Sequence, residues 1–146
     1  MDKTILNPAS LAKPSGFSHG IKTTGGSLVF LAGQTALDAG GKIVAPGDMA
    51  GQFRQALANL RAVMEDAGGT MTDITSLTIF VTDLDAYKSR LKEIGASYRE
   101  FLGSYYPAMA LVNVARLWDD NAMIEIQGVA VVEEANPVGK FPENRS

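Results

Sequence analysis

Tyr106-Pro107-Ala108-Met109-Ala110-Leu111-Val112-Asn113-Val114-Ala115-Arg116-Leu117, then the polar turn Trp118-Asp119-Asp120-Asn121, then Met123-Ile124-Glu125-Ile126-Gln127-Gly128-Val129-Ala130-Val131-Val132: these two runs decide the fold. Each reads as a strand, because β-branched and apolar residues continue for eight or more positions between a proline and a polar turn. Together they look like a long hairpin. On the first strand Ala108, Ala110, Val112 and Val114 share one face, and the other face is apolar except for Asn113. On the second, Ile124, Ile126, Gly128, Ala130 and Val132 oppose Glu125, Gln127, Val129 and Val131. A half-solvated sheet alternates apolar with polar, and this one does not, so both of its faces need cover. Helices of the same chain can cover one. The second calls for a bound partner or another copy of the chain.

Working outward, Phe17 to Thr24 reads as a strand, Gly25-Gly26 as a tight turn, and Ser27-Leu28-Val29-Phe30-Leu31-Ala32-Gly33 as a strand apolar on both faces. Ile43-Val44 is a candidate short edge strand. Asp48 is placed to cap a first helix whose stripe is Met49, Phe53, Leu57, Leu60 and Met64, with Ala56 and Val63 beside it. Gln52, Arg54, Gln55 and Asn59 fall mostly off that stripe, and Gly68-Gly69 ends the helix. Ser76 to Thr82 alternates as a strand, with Leu77, Ile79 and Val81 on one face. A second helix follows Asp83, with Leu84, Tyr87, Leu91, Ile94, Tyr98 and Phe101 stepping by three and four until Gly103. The fold class is therefore α+β: a two-layer mixed sheet with two helices on one face. Residues 1–15 form an N-terminal arm, 16–134 a single domain and 135–146 a C-terminal extension.

With no cysteine and one histidine, disulfides and thiolate chemistry are excluded, and no carboxylate spacing suggests a metal site. Neither a Gly-x-Gly-x-x-Gly run nor a Walker loop is present to hold a nucleotide cofactor. The formal net charge of −3, without a basic cluster, argues against nucleic acid as a partner. The first residues lack the apolar run of a signal peptide, and no segment has the length of a membrane span, so a cytoplasmic protein is expected. Ser18 and His19 are neighbours and on a strand would face opposite ways, which weighs against a nucleophile and its base. Asn113 and Gln127 are weighed evenly between pairing within the chain and facing a ligand cleft, since an unpaired buried amide costs about 1–3 kcal/mol.

The order of elements, with Gly16-Phe17-Ser18-His19, Val29-Phe30-Leu31-Ala32-Gly33-Gln34, Gln52 to Leu60, Val81-Thr82-Asp83-Leu84, Tyr106-Pro107-Ala108-Met109 and Ile124 to Ala130, resembles the Rid family of reactive-intermediate deaminases, also known as YjgF or L-PSP. The resemblance spans roughly residues 15–133. It implies a chorismate-mutase-like fold and a homotrimer with three clefts between subunits. It also implies hydrolysis of small enamines and imines to a keto acid and ammonia, without metal or organic cofactor. In that family an arginine in Pro-Ala-Arg forks onto the substrate carboxylate, a late glutamate positions water, and a tyrosine and a glycine complete the pocket. Those positions are Met109, Gln127, Phe17 and Gly33 here, and an asparagine of the second helix falls at Gly95. Three of the four principal positions therefore depart from the pattern. Methionine cannot bind a carboxylate, and glutamine can orient water but cannot take its proton.

The expected site is thus neutral. Phe17 and Met109 shape it, with Asn113 as a further substrate contact. Gly33 and Ala108 offer backbone groups, Gln127 orients water, and Ser18 or His19 assists proton movement. Arg116 or Arg54 is the candidate replacement for the missing arginine. The substrate is expected to differ from 2-aminoacrylate. A non-catalytic trimer binding a small molecule or regulating a partner is the alternative, and an endoribonuclease ranks third because no basic groove is visible.

Overall fold

A computed structural model describes residues 1–134, so the expected extension at 135–146 lies outside the described residues. Four strands form the main sheet: β3 (Ser27–Gln34), β4 (Ile74–Val81), β5 (Ala108–Asn113) and β6 (Ile124–Val132). Their order is β3-β6-β4-β5, with β4 and β5 parallel and β6 antiparallel to both of its neighbours. The two final runs therefore do not pair as a hairpin. Tight hairpins close over two to five residues, whereas residues 114–123 separate β5 from β6. That length carries the chain across the end of β4, where the Val114 amide donates to the Val81 carbonyl (2.8 Å) and the Thr82 amide to the Met123 carbonyl (3.0 Å).

Helix α1 (Met49–Asp66) begins where the Asp48 side chain accepts from the Gly51 amide at 3.0 Å, satisfying one of the free N–H groups of the first turn. Its expected stripe is buried, but so is Gln52. The expected second helix is two, α2 (Leu84–Ser89) and α3 (Leu91–Leu102), broken at Arg90, which leaves the helical region with φ −119° and ψ 23°. The core lies between these helices and one sheet face, where Phe53, Leu57, Leu60 and Phe101 pack against Leu77, Ile79, Ile124 and Ile126.

The segment before residue 16 is partly ordered by pairing. Strand β1 (Asp2–Leu6) lies antiparallel to β2 (Gly20–Thr24), so the Gly25-Gly26 turn, with φ of 72° and 78°, joins strands of different sheets. The Ile43-Val44 segment contributes one bridge, Leu37 to Ile43, and no strand. The second face of the main sheet carries no helix: Phe30 is 75% exposed, Leu28 63% and Val112 42%. No helix among the described residues is long and apolar enough to cross a membrane.

Candidate functional site

Two depressions meet at the start of β5. The first forms because Ser18 is stitched to that strand: its amide donates to the Pro107 carbonyl (3.0 Å) and its hydroxyl to the Tyr106 carbonyl (2.6 Å), and it bridges Ala108 in parallel. These bonds hold Phe17-Ser18-His19 beside Ala108-Met109-Ala110 and leave an open groove of about 400 Å³, which Thr78 also lines. His19 is occupied by its own segment. Its Nε2 lies 2.7 Å from the Ala12 carbonyl and its amide donates to Asn7 Oδ1 at 2.8 Å. A carbonyl only accepts, so Nε2 carries the proton and Nδ1 is the free acceptor. The His19 ring meets Phe17 edge-on, with centroids 5.2 Å apart.

The second depression is a cleft of about 160 Å³ on the helix side of β5, walled by Ile79, Tyr87, Leu91, Ile94, Tyr106 and Met109. Met109 lies beside Leu77 in the parallel register, so its side chain is aimed at α3 and away from the open sheet face. Tyr98 stacks on Tyr106 at 5.1 Å and 12°, and its hydroxyl donates to the Tyr105 carbonyl (3.0 Å). Burial pushes the Tyr87 phenol up to about 12 and raises Tyr98 further, so both are neutral donors at any physiological pH. The Tyr87 hydroxyl has no hydrogen-bond partner among the described residues.

Sequence reasoning placed Met109 here but read Tyr87, Leu91, Ile94 and Tyr98 only as the apolar stripe of a helix, and it gave Arg99 no role. Arg99 lines the cleft, and a Cβ placed on Gly95 would stand 3.3 Å from Arg99 Nη1. The glycine, four residues earlier on the same helix face, leaves the space that the guanidinium occupies. That i,i+4 pairing of Gly95 with Arg99 was the available signal. The arginines expected to substitute are engaged elsewhere: Arg54 pairs with Glu100 (2.7 Å) and Arg116 with Asp120 (2.8 Å).

The remaining expected residues lie apart from the cleft. Gln127 is exposed on the open sheet face opposite Thr78, the face that Met109 does not share. Gly33 lies under the Glu125 carboxylate, which would overlap any Cβ there. Asn113 has an intrachain role, its Oδ1 accepting from the Leu84 amide (2.9 Å) at the first turn of α2. Within one chain, then, Phe17, Ser18, His19, Ala108 and Met109 are gathered, Gln127 lies next to the groove wall at Thr78 but across the sheet from the helix-side cleft, and Gly33 and Asn113 are elsewhere. Among the described residues no three metal-ligating side chains converge.

Residues 8–132 match the sequence model of the family described as Endoribonuclease L-PSP. A 2-iminobutanoate/2-iminopropanoate deaminase of Salmonella typhimurium is 35% identical over 134 residues, covering 90% of this chain and 98% of the relative. A RutC family protein of Pyrococcus horikoshii is 33% identical over 132 residues, covering 90% and 99%. The crystal structure of a protein of unknown function of the Rid family from Yersinia pestis superposes with a TM-score of 0.80 at 32% identity, covering 90% of this chain and all of that one. Matched almost from end to end in both sequence and fold, the chain belongs to the Rid, YjgF or L-PSP family.

Proposed function

We propose that this protein is a cofactor-independent hydrolase of small 2-imino acids or their enamine tautomers, with a substrate other than 2-aminoacrylate, acting in clefts between the subunits of a homotrimer. Water adds to the imine carbon, the C–N bond breaks, and a keto acid and ammonia leave. The observation that carries this reading is the pair of depressions at the start of β5, a groove where Phe17, Ala108 and Met109 converge and the helix-side cleft that Met109 also walls, in a chain so close to an imine deaminase. Gln127 lies beside Thr78 on the open sheet face that the groove borders, and across the sheet from the helix-side cleft under Met109, so its amide serves that cleft only from a second copy. Ser18 gives its hydroxyl proton to a carbonyl, so its contribution is to fix the groove wall. Among the described residues, His19 supplies the only side-chain nitrogens that line the groove.

The reading is tested by generating 2-aminoacrylate, and separately larger 2-imino acids, enzymatically in the presence of the protein and measuring keto acid release. Larger imines are expected to be hydrolysed faster than in free solution. 2-Aminoacrylate is expected to show little acceleration until M109R and Q127E are introduced together. No acceleration with any imine would remove the enzyme reading and leave a trimer that binds its ligand without turnover.

A further inference from the structure

Arg99 stands out among the arginines. Arg54 and Arg116 are paired as described, Arg61 reaches Glu65 (3.8 Å) and covers the Phe101 ring (4.7 Å), and Arg90 is held by Glu93 and Asp48. Arg99 alone among the described arginines has neither an acidic partner nor an aromatic ring beneath it. It sits over Gly95 at a cleft whose other walls are uncharged, the aliphatic Ile79, Leu91, Ile94 and Met109 with the rings of Tyr87, Tyr98 and Tyr106. A guanidinium presents five donors in a fixed fork, the complement of a carboxylate. The cleft beneath, about 160 Å³, is close to the roughly 150 Å³ of an engineered apolar cavity that accepts benzene.

We infer that Arg99 binds the substrate carboxylate, and that the cleft beneath it selects 2-imino acids carrying an aromatic or branched aliphatic side chain. The carboxylate sits at the rim on Arg99, and the side chain enters between Leu91, Ile94 and Met109. A methionine at 109 is then part of the selectivity: it supplies apolar wall, and the charge comes from the helix. The substrate class rests on the imine-hydrolase reading above, and the carboxylate site does not.

Two readouts separate them. Binding of phenylpyruvate, 4-methyl-2-oxopentanoate and pyruvate is measured by titration calorimetry on the intact protein, alongside R99Q, R99K and L91W, each checked for unchanged melting. Hydrolysis is measured on the imines that an amino-acid oxidase releases from phenylalanine, leucine and alanine. The two larger keto acids are expected to bind at least tenfold more tightly than pyruvate. R99Q should weaken them roughly ten- to a hundredfold, R99K should recover part, and L91W, at an exposed position on the rim, should erase the preference for size. Binding that follows Arg99 with no imine hydrolysed would support this site and remove the hydrolase. Imine hydrolysis unchanged in R99Q, or no keto acid bound by the wild type, would overturn it.

Discussion

Gln52 is fully enclosed, and its amide is used at both ends: Nε2 donates to the carbonyls of Ala45 (3.2 Å) and Asn121 (3.0 Å), and Oε1 accepts from the Met123 amide (2.8 Å). It fixes the loop before α1 to the entry of β6. Gln52→Leu keeps the volume but strands three backbone groups, so chemical denaturation should show a loss on the order of 3 kcal/mol. Periodicity placed this residue off the apolar stripe and gave more weight to Asn113 and Gln127, because sequence shows an amide but not the carbonyls 7 and 69 residues away that it meets. Arg99 escaped for a related reason: its significance lies in what it does not touch. The tyrosines give a pH prediction. Burial raises Tyr87 and Tyr105 from 10.0 to about 12, with Asp73 adding to the effect at Tyr105. Between pH 10 and 12 an unfolded chain has released phenolic protons that the folded chain still holds, so stability is flat below pH 10 and falls as pH rises through that window. Tyrosinate absorbance followed against pH should lag in the folded protein and then rise together with loss of the far-ultraviolet signal.

At the scale of elements, the start of α1 is the most directly written feature. Asp48 both accepts from the Gly51 amide and meets Arg90 Nη2 at 3.3 Å, tying the cap of α1 to the break between α2 and α3. Asp48→Ala should cost about 1 kcal/mol in denaturant unfolding, and Asp48→Asn, which keeps the cap but not the charge, should recover most of it. The cap, the α1 stripe and the alternation of β4 were legible because each depends on residues within one or two turns of each other. The β5–β6 pairing was not. Both runs have the composition of buried strands, and nothing local says whether a strand returns beside its predecessor or crosses to the far side of β4. The register that settles it, Val81 beside both Asn113 and Ile124, is a contact between three separate segments. The kink at Arg90 was equally hidden, since the apolar steps from Leu84 to Phe101 run through it without interruption.

For the whole molecule, the consequential fact is the sheet face that carries no helix. Its central row sets Phe30 beside Val129, and its neighbours are Leu28, Phe80 and Val112, interrupted by Glu125, Gln127 and Thr78. Exposed apolar side chains gathered on one face in this way are what the proposed trimer would cover. The missing alternation made that face legible in the sequence, while the number of copies that cover it comes only from the family resemblance. Covering one exposed phenylalanine is worth roughly 2 kcal/mol, and a symmetric trimer collects that gain three times. On the proposed trimer, sedimentation equilibrium should report three chains for the wild type. Phe30→Glu places a charge on each copy at the same surface, and should give single chains that keep their secondary structure, because Phe30 makes no part of the helix-side core. If Gln127 acts across the interface, the same variant loses imine hydrolysis together with assembly, while calorimetry still detects keto acid binding at Arg99 within each isolated chain. Wild-type protein that sediments as one chain over a wide concentration range would remove the trimer, and with it any route by which Gln127 could reach the cleft beside Met109.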